Sequence, residues 1–402
     1  MAAVLPLAVS IPRRRVMAVA CTAHALHDGY TDLIYVLLPV WQHEFGLSFA
    51  ALGVLRALYT GAMASLQIPA AAAARRYGAV FILASGTLLA AGAYVVIGVT
   101  GAGFAVLAAA LLCGGAGSAT QHPLASALIS RAYDDKGSTR AALGTYNFAG
   151  DLGKMAIPAT LAWLVTILSW RHGLGLIGLA GIILAASIAL LLPARLGSAA
   201  QVTAQVRSTG NKPVTGAPRS LGFRLLLLIG VIDSGTRMGF LAFLPFVLKL
   251  QGAGFETVGL ALSLVFAGGA AGKFVCGILS ARIGVLATVL LTEGGTAAGI
   301  LALPFLPLTA SLALLPLLGL ALNGTSSALY GSVPELVPTA QQERAFGIFY
   351  TGTIGSGALA PIIYGAVGDA VGPMHAITIV ALVCLSTIPL AMVLNPFLPG
   401  RR

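Results

Sequence analysis

Three ionisable residues repeat at four-residue intervals in the first apolar stretch of the chain: His24, Asp28 and Asp32. In an α-helix this spacing places the three side chains on one face. Neither carboxylate has a cation within four residues along the sequence. Neighbouring carboxylates in a medium of low dielectric favour the protonated form of one of them, which suits proton coupling. We predict that Asp28 takes up and releases a proton and that Asp32 tunes it.

Other charged side chains also fall inside apolar stretches, where a charge costs about 2.5–3.5 kcal/mol at the bilayer centre and needs a partner or a cavity. Asp233 and Arg237 repeat the four-residue spacing, so they either pair within their helix or face a cavity. Arg56 either reaches the membrane surface with its long side chain, or partners Asp32 or an anionic ligand.

The remaining intramembrane candidates lie further along the chain. His122 precedes a proline, and it is either a hydrogen-bonded packing residue or a transport residue. Asp151 and Lys154 stand three residues apart, so we expect them to pair with each other on one helix. Lys273 has two candidate partners, Glu293 and the membrane interface. If Arg56, Lys154 and Arg237 face a cavity, they predict an anionic ligand there.

The composition places these helices in a membrane. Of the 402 residues, 58% are apolar and only 9% are charged, against roughly 25% charged in soluble domains. The mean hydropathy is +0.94. Apolar runs of about 20 residues, enough to cross a hydrocarbon core of ~30 Å, recur from Val16 to Leu394. The chain is therefore predicted to be an all-α integral membrane protein, and a water-soluble globule is excluded.

Charged and turn-rich breaks divide the chain into twelve candidate spans. They are expected at about 16–41, 48–73, 79–99, 102–131, 139–166, 172–193, 221–250, 256–280, 284–305, 308–335, 341–368 and 373–396. Lys and Arg collect in alternate loops on the side of both chain ends, whereas the other side holds only Arg171 and Lys249. The positive-inside rule then predicts cytoplasmic termini for a protein of the inner (plasma) membrane.

The two halves of the chain repeat each other. Asp28 recurs as Asp233, an offset of 205 residues, and Tyr146 recurs as Tyr350, an offset of 204. We expect a six-helix bundle over 1–193, a cytoplasmic linker over 194–220 and a second six-helix bundle over 221–402. Two loops that also match are expected to gate the cytoplasmic side, through Arg75, Arg76, Gly78, Arg282 and Gly284.

Several short motifs are shared with a known group of membrane proteins. They are Ala23-His24-Ala25-Leu26-His27-Asp28, Gly117-Ser118-x-x-x-His122-Pro123, Glu335-Leu336-Val337-Pro338 and Gly365-x-Val367-x-Asp369. In these motifs the chain resembles the major facilitator superfamily, and within it the fosmidomycin-resistance-type efflux proteins. The resemblance implies two pseudo-symmetric six-helix bundles around a midplane substrate site, with His24, Asp28 and His122 as cavity or coupling residues. Two family features are missing: an acidic residue before Arg75, and one at Leu124.

These patterns favour a secondary transporter that moves a small organic compound by alternating access, coupled to protons, in the export direction. The alternative is an importer of a metabolite anion by proton symport, and a more distant one is a membrane sensor that does not transport. The sequence holds no nucleotide-binding signature, no HExxH and no nucleophile elbow, which argues against an enzyme. We expect the bilayer, the substrate and protons as partners, a monomer, no nucleic acid, no cofactor and no metal.

Overall fold

The computed structural model of the protein describes residues 13–100, 103–133, 136–193, 220–338 and 341–398. Within these ranges the chain is almost entirely helical. The first half holds α1 (Arg13–Phe45), α2 (Phe49–Ser65), α3 (Gln67–Tyr77), α4 (Ala79–Thr100), α5 (Phe104–Ser118), α6 (Gln121–Ala132), α7 (Lys136–Ile167) and α8 (Trp170–Leu191). The second half holds α9 (Leu221–Leu250), α10 (Phe255–Ile283), α11 (Val285–Ala302), α12 (Leu308–Ser332), α13 (Gln342–Val371), α14 (Pro373–Leu385) and α15 (Thr387–Leu394). The predicted linker lies outside the described residues except for Ser220, which caps α9.

The described helices are consistent with twelve membrane crossings. Among the described residues, nine helical segments are long and apolar enough to span a membrane, and the pair α2 and α3, bent by 47°, makes a tenth. The other two long helices, α1 with 33 residues and α7 with 32, fall outside this set. They carry the charged residues singled out above, which lower their hydropathy.

Three predicted spans are each divided into a pair of helices in the described residues, and a proline explains each break. Pro69 is the third residue of α3, Pro123 is the third residue of α6 and Pro389 is the third residue of α15. A proline has no backbone N–H, so the carbonyl four residues earlier loses its helical partner and the ring crowds that turn. The second break places His122 at the second position of α6.

Three apolar cores in the described part of the chain show where the two halves meet. The largest includes side chains of both halves, such as Trp41, Leu52, Phe243 and Tyr364. The second core lies within the first half, and the third lies within the second half. The halves therefore pack together at the end of the bundle where α1 leads into α2, which we call the closed end. At the other end, where α1 begins, each half keeps its own core; we call it the open end.

Polar contacts reinforce the closed end. Asp369, near the end of α13, accepts hydrogen bonds from the backbone N–H groups of Phe49 (2.6 Å) and Ala50 (3.0 Å). A carboxylate at this position satisfies free donors and the partial positive charge of the α2 N-terminus. A Cβ on Gly53 would overlap the backbone of Pro361, so a glycine is needed where α2 and α13 touch. The two halves are thus joined by specific backbone contacts at this end.

Candidate functional site

A cavity of about 700 Å³ lies between the two halves. Its wall carries polar residues from both of them, although the surrounding helices are apolar. The charged and imidazole side chains that line it are His27, Asp28, Asp32, Arg56, His122, Asp151, Lys154, Asp233, Arg237 and Lys273. All the predicted intramembrane site residues except His24 therefore line this cavity. His24 is buried, does not line the cavity and contacts Asp28.

Asp28 is the centre of a charged cluster in the first half. Its Oδ2 lies 3.3 Å from Nζ of Lys154, and its Oδ1 lies 3.4 Å from Nε2 of His24. The Nε2 atoms of His27 and His122 are 3.7 Å and 3.9 Å from the same Oδ1. No cation lies within four residues of Asp28 along the sequence, but the fold brings Lys154 of α7 to it.

Glycines on α7 allow this cluster to form. A Cβ on Gly153 would overlap the backbone carbonyl of Ala25, and a Cβ on Gly150 would lie 2.6 Å from Oδ2 of Asp28. Small residues let membrane helices approach closely. The backbone of α7 therefore packs directly on α1, which brings Lys154 within reach of Asp28.

Substituting Gly153 by alanine tests this packing. Because the added methyl group would meet backbone atoms, we expect Gly153→Ala to lower the thermal unfolding midpoint of the purified protein and to reduce ligand binding. Overpacking of this kind typically costs about 1–3 kcal/mol. Gly144→Ala is the matched control on the same helix, since a Cβ there meets nothing within 4 Å. Equal midpoints for the two variants would contradict the proposed role of close helix packing.

Asp32 is partnered by Arg56 of α2. The carboxylate and the guanidinium are 3.7 Å apart, and the guanidinium lies 4.8 Å from the ring centre of Tyr35. Arg56 is only 2% exposed, so it does not reach the membrane surface. Its Nε and Nη1 are buried and have no hydrogen-bond partner among the described residues. Of the sequence alternatives, the partnership with Asp32 is the one the structure has.

Asp151 and Lys154 do not pair with each other as predicted. Asp151 instead lies 2.6 Å from Nζ of Lys273, on α10 of the second half. The reason is that α7 packs between α1 and α10, so residues three positions apart turn toward different neighbours. The main partner of Lys273 is therefore Asp151, and neither Glu293 nor the membrane interface. The ion pair between Asp151 and Lys273 links the two halves of the protein.

In the second half, Asp233 and Arg237 do not form an ion pair within the described structure. Nη1 of Arg237 donates to Ser326 at 3.1 Å, and its Nε is buried without a partner among the described residues. Asp233 instead faces Glu293 of α11. Oε2 of Glu293 accepts hydrogen bonds from Cys384 and Thr387, so this carboxyl group is buried away from the cavity and does not pair with Lys273.

The two predicted gating loops have the same conformation. Gly78 ends α3 with φ of 93°, and Gly284 ends α10 with φ of 89°, a region that favours glycine. Arg75, Arg76 and Arg282 are exposed just before these turns, at the open end. The internal repeat seen in the sequence is therefore also present in the local backbone, while a gating role remains a prediction.

Two residues of the cluster have no role assigned to them from the sequence. His27 follows His24 by three positions and lies off the face defined by the four-residue spacing, yet its ring reaches His122. Tyr146 provides the backbone carbonyl that contacts Nδ1 of His24 at 2.8 Å. The three-residue spacing of His24 and His27 could have indicated that His27 belongs to the cluster. The sequence has no feature that identifies the carbonyl of Tyr146 as a hydrogen-bond acceptor.

Comparison with known proteins defines the class to which this fold and cavity belong. The profile of the Major Facilitator Superfamily matches residues 20–227 and again residues 226–401, one match for each half. The chain therefore belongs to the Major Facilitator Superfamily, whose members are secondary transporters.

Individual relatives are more distant. The chain is 26% identical over 388 residues to the fosmidomycin resistance protein of Escherichia coli (strain K12), covering 94% of this chain and 91% of that protein. Its fold is similar to a bacterial homolog of the human lysosomal transporter Spinster in an inward-facing and occupied conformation, with a TM-score of 0.79, 17% identity and coverage of 97% and 99%. A mutant of the nucleoside transporter NupG gives a TM-score of 0.75, 12% identity and coverage of 96% and 99%.

Proposed function

We propose that the protein carries a small anionic organic compound across the inner (plasma) membrane, coupled to protons, by alternating access in the export direction. The observation that carries this proposal is the polar cavity between the two halves. The halves pack together at the closed end, whereas each keeps its own core at the open end. Transport would exchange this arrangement for one in which the opposite end is closed. The bound compound would then face the other side of the membrane.

The cavity's unpaired donors support an anionic compound. Arg56 and Arg237 line the same cavity from opposite halves, and each has buried N–H groups without an acceptor among the described residues. A buried donor without an acceptor is costly, and a carboxylate, phosphate or phosphonate oxygen would satisfy it. A ligand that contacts both guanidinium groups would also respond to the relative movement of the two halves.

Proton coupling is better supported at Asp32 than at Asp28. Asp28 has the ammonium of Lys154 3.3 Å from its Oδ2, and this cation holds it as a carboxylate anion. Asp32 has one longer contact, to Arg56, and it lines the cavity. We therefore infer that Asp32 takes up the proton and that Asp28 anchors Lys154. This reverses the roles that the sequence spacing suggested.

The export direction is supported by the similarity to a protein named for fosmidomycin resistance. In export by proton exchange, the compound must replace the proton on Asp32. A compound that has a hydrogen-bond donor next to its anionic group meets this requirement, because the donor can bind the Asp32 carboxylate while the anion binds Arg56.

The contact between Asp32 and Arg56 favours a second candidate, import by proton symport. Protonation of Asp32 would release Arg56 from its ion pair and strengthen its attraction for an anion. Compound and proton would then bind together. The two candidates predict opposite effects of pH on binding of the compound. Acidification weakens binding if the protein exchanges the compound for protons, and it strengthens binding if the protein is a symporter.

The proposed function is tested by uptake into proteoliposomes that contain the purified protein. We expect at least one member of a panel of small phosphonates, carboxylates and phosphate esters, fosmidomycin included, to accumulate when a pH gradient is imposed. A protonophore should abolish this accumulation. If no anionic compound accumulates and cationic or neutral compounds do, the proposed substrate class is wrong.

The proposed orientation has its own test. If the open end is cytoplasmic, the segment 194–220 is cytoplasmic as well, because the excess of Lys and Arg lies on that side. A cysteine introduced at Gly210, in a background without the four native cysteines, should not react with an impermeant thiol reagent added to intact cells. It should react after the cells are broken. Labelling in intact cells would contradict the orientation.

A further inference from the structure

The hydrogen bond made by Nδ1 of His24 indicates that Nε2 of the neutral ring carries no proton. Nδ1 lies 2.8 Å from the backbone carbonyl of Tyr146. Because a carbonyl only accepts hydrogen bonds, Nδ1 must carry the proton, and Nε2 of the neutral ring presents a lone pair. This Nε2 is buried and has no hydrogen-bond partner among the described residues. It lies 3.4 Å from Oδ1 of Asp28, so two electron-rich atoms face each other.

Other donor atoms surround the same point. One ligand atom each of His24, Asp28 and His122 lies within 4.8 Å of the other two. Nε2 of His27 is 3.3 Å from Nε2 of His122 and 3.7 Å from Oδ1 of Asp28. Ligands of a tetrahedral zinc ion, at 2.0–2.1 Å from the metal, are about 3.3 Å from one another. Small side-chain movements would therefore place these atoms at coordination distance.

We propose that His24, Asp28 and His122 bind a divalent transition-metal ion of the Zn²⁺ class. Imidazole and carboxylate ligands suit Zn²⁺, Co²⁺ and Ni²⁺ better than Ca²⁺ or Mg²⁺. The bond from His24 to the Tyr146 carbonyl is the type of outer contact that fixes the tautomer of a metal-binding histidine. No metal is predicted from the sequence because the histidines come from two helices that only the fold brings together.

The site is accessible from the cavity. The side chain of His122 is 39% exposed, and both His122 and Asp28 line the cavity wall. An ion held there has a fourth position on the cavity side, which Nε2 of His27 or an oxygen of an anionic ligand can fill. The inference goes beyond the proposed transport, since binding of a metal can be measured without any transport.

The ammonium group of Lys154 would repel a metal ion bound beside Asp28. Its ammonium contacts Oδ2 of Asp28, whereas the proposed metal would contact Oδ1. The two positive charges would repel each other at this distance. The side chain of Lys154 is 29% exposed, so it can turn into the cavity when an ion binds. Removing its charge should therefore strengthen metal binding, a response expected only if the ion sits beside Asp28.

The test is titration of the full-length protein, purified without a polyhistidine tag, with Zn²⁺ by calorimetry and with Co²⁺ by visible absorption. We expect one equivalent of Zn²⁺ per chain, and absorption bands typical of four-coordinate Co²⁺. His122→Gln and Asp28→Asn should each weaken binding by at least ~10-fold. Lys154→Gln should strengthen it. The matched control combines His43→Gln, His172→Gln and His375→Gln, which removes the three histidines outside the cluster and should leave binding unchanged.

Because His122 is partly exposed, its substitution is expected to leave the fold intact, and the unfolding midpoint without metal checks this. The proposal is overturned if the wild-type protein binds no stoichiometric metal. It is also overturned if His122→Gln binds as tightly as the wild type, or if the triple control loses the binding. Transport can fail in proteoliposomes while metal binds as expected, so the two hypotheses are tested separately.

Discussion

Asp32→Asn should abolish proton-driven accumulation of the transported compound and leave its exchange across an equilibrated membrane. The amide keeps the shape of the side chain and cannot take up a proton, so the transport cycle loses its link to the proton gradient. The expected loss is complete for accumulation against a gradient. The measurement compares pH-driven uptake with counterflow in the same proteoliposomes.

Two further variants make this result specific. Glu256→Gln makes the same chemical change at an exposed position in the first turn of α10, and it should behave like the wild type. Asp28→Asn should impair exchange as well as accumulation, because it leaves Lys154 without its closest carboxylate. If Asp32→Asn still accumulates the compound with an unaltered pH profile, the coupling group is another carboxylate, and Asp233 becomes the next to test.

Arg237→Ala and Arg56→Ala should each weaken binding of the transported compound by roughly 10- to 150-fold, the range expected for loss of a hydrogen bond to a charged group. Both guanidinium groups have buried donors without acceptors among the described residues, and a bound anion would use them. Equilibrium binding of the labelled compound measures the effect. Proton release from the protein should change less than binding in Arg237→Ala.

The control for charge alone is Arg224→Ala, which removes an exposed arginine from the same helix as Arg237. It should leave the affinity unchanged. If the alanine variants of Arg56, Lys154 and Arg237 all bind with wild-type affinity, these cations have only a structural role and the anionic substrate class is wrong.

The sequence predicted the class of fold because its signals are local. Apolar runs identify membrane helices, and the offset between Asp28 and Asp233 identifies the repeat. The one-sided placement of His24, Asp28 and Asp32 follows from helical periodicity alone, and the structure does place the three on the side of α1 that meets α2, α6 and α7. Predictions of which side chains share one face of a helix were therefore accessible.

The pairing of charges was less predictable because it depends on which helices are neighbours. Asp151 and Lys154 are close along α7, yet they bond to Lys273 of α10 and Asp28 of α1. The sequence gives no information on the order of helices around the cavity. It also cannot show which end is closed, since a transporter of this kind adopts more than one arrangement of the same helices.

The central claim, that a compound bound between the halves is coupled to protons through Asp32, is tested most directly by measuring both in one experiment. A pH-sensitive dye inside wild-type and Asp32→Asn proteoliposomes would report proton movement when the transported compound is added at equal pH. We expect compound-dependent proton flux in the wild type and none in Asp32→Asn, with compound flux present in both. Equal proton flux in the two proteins would contradict it.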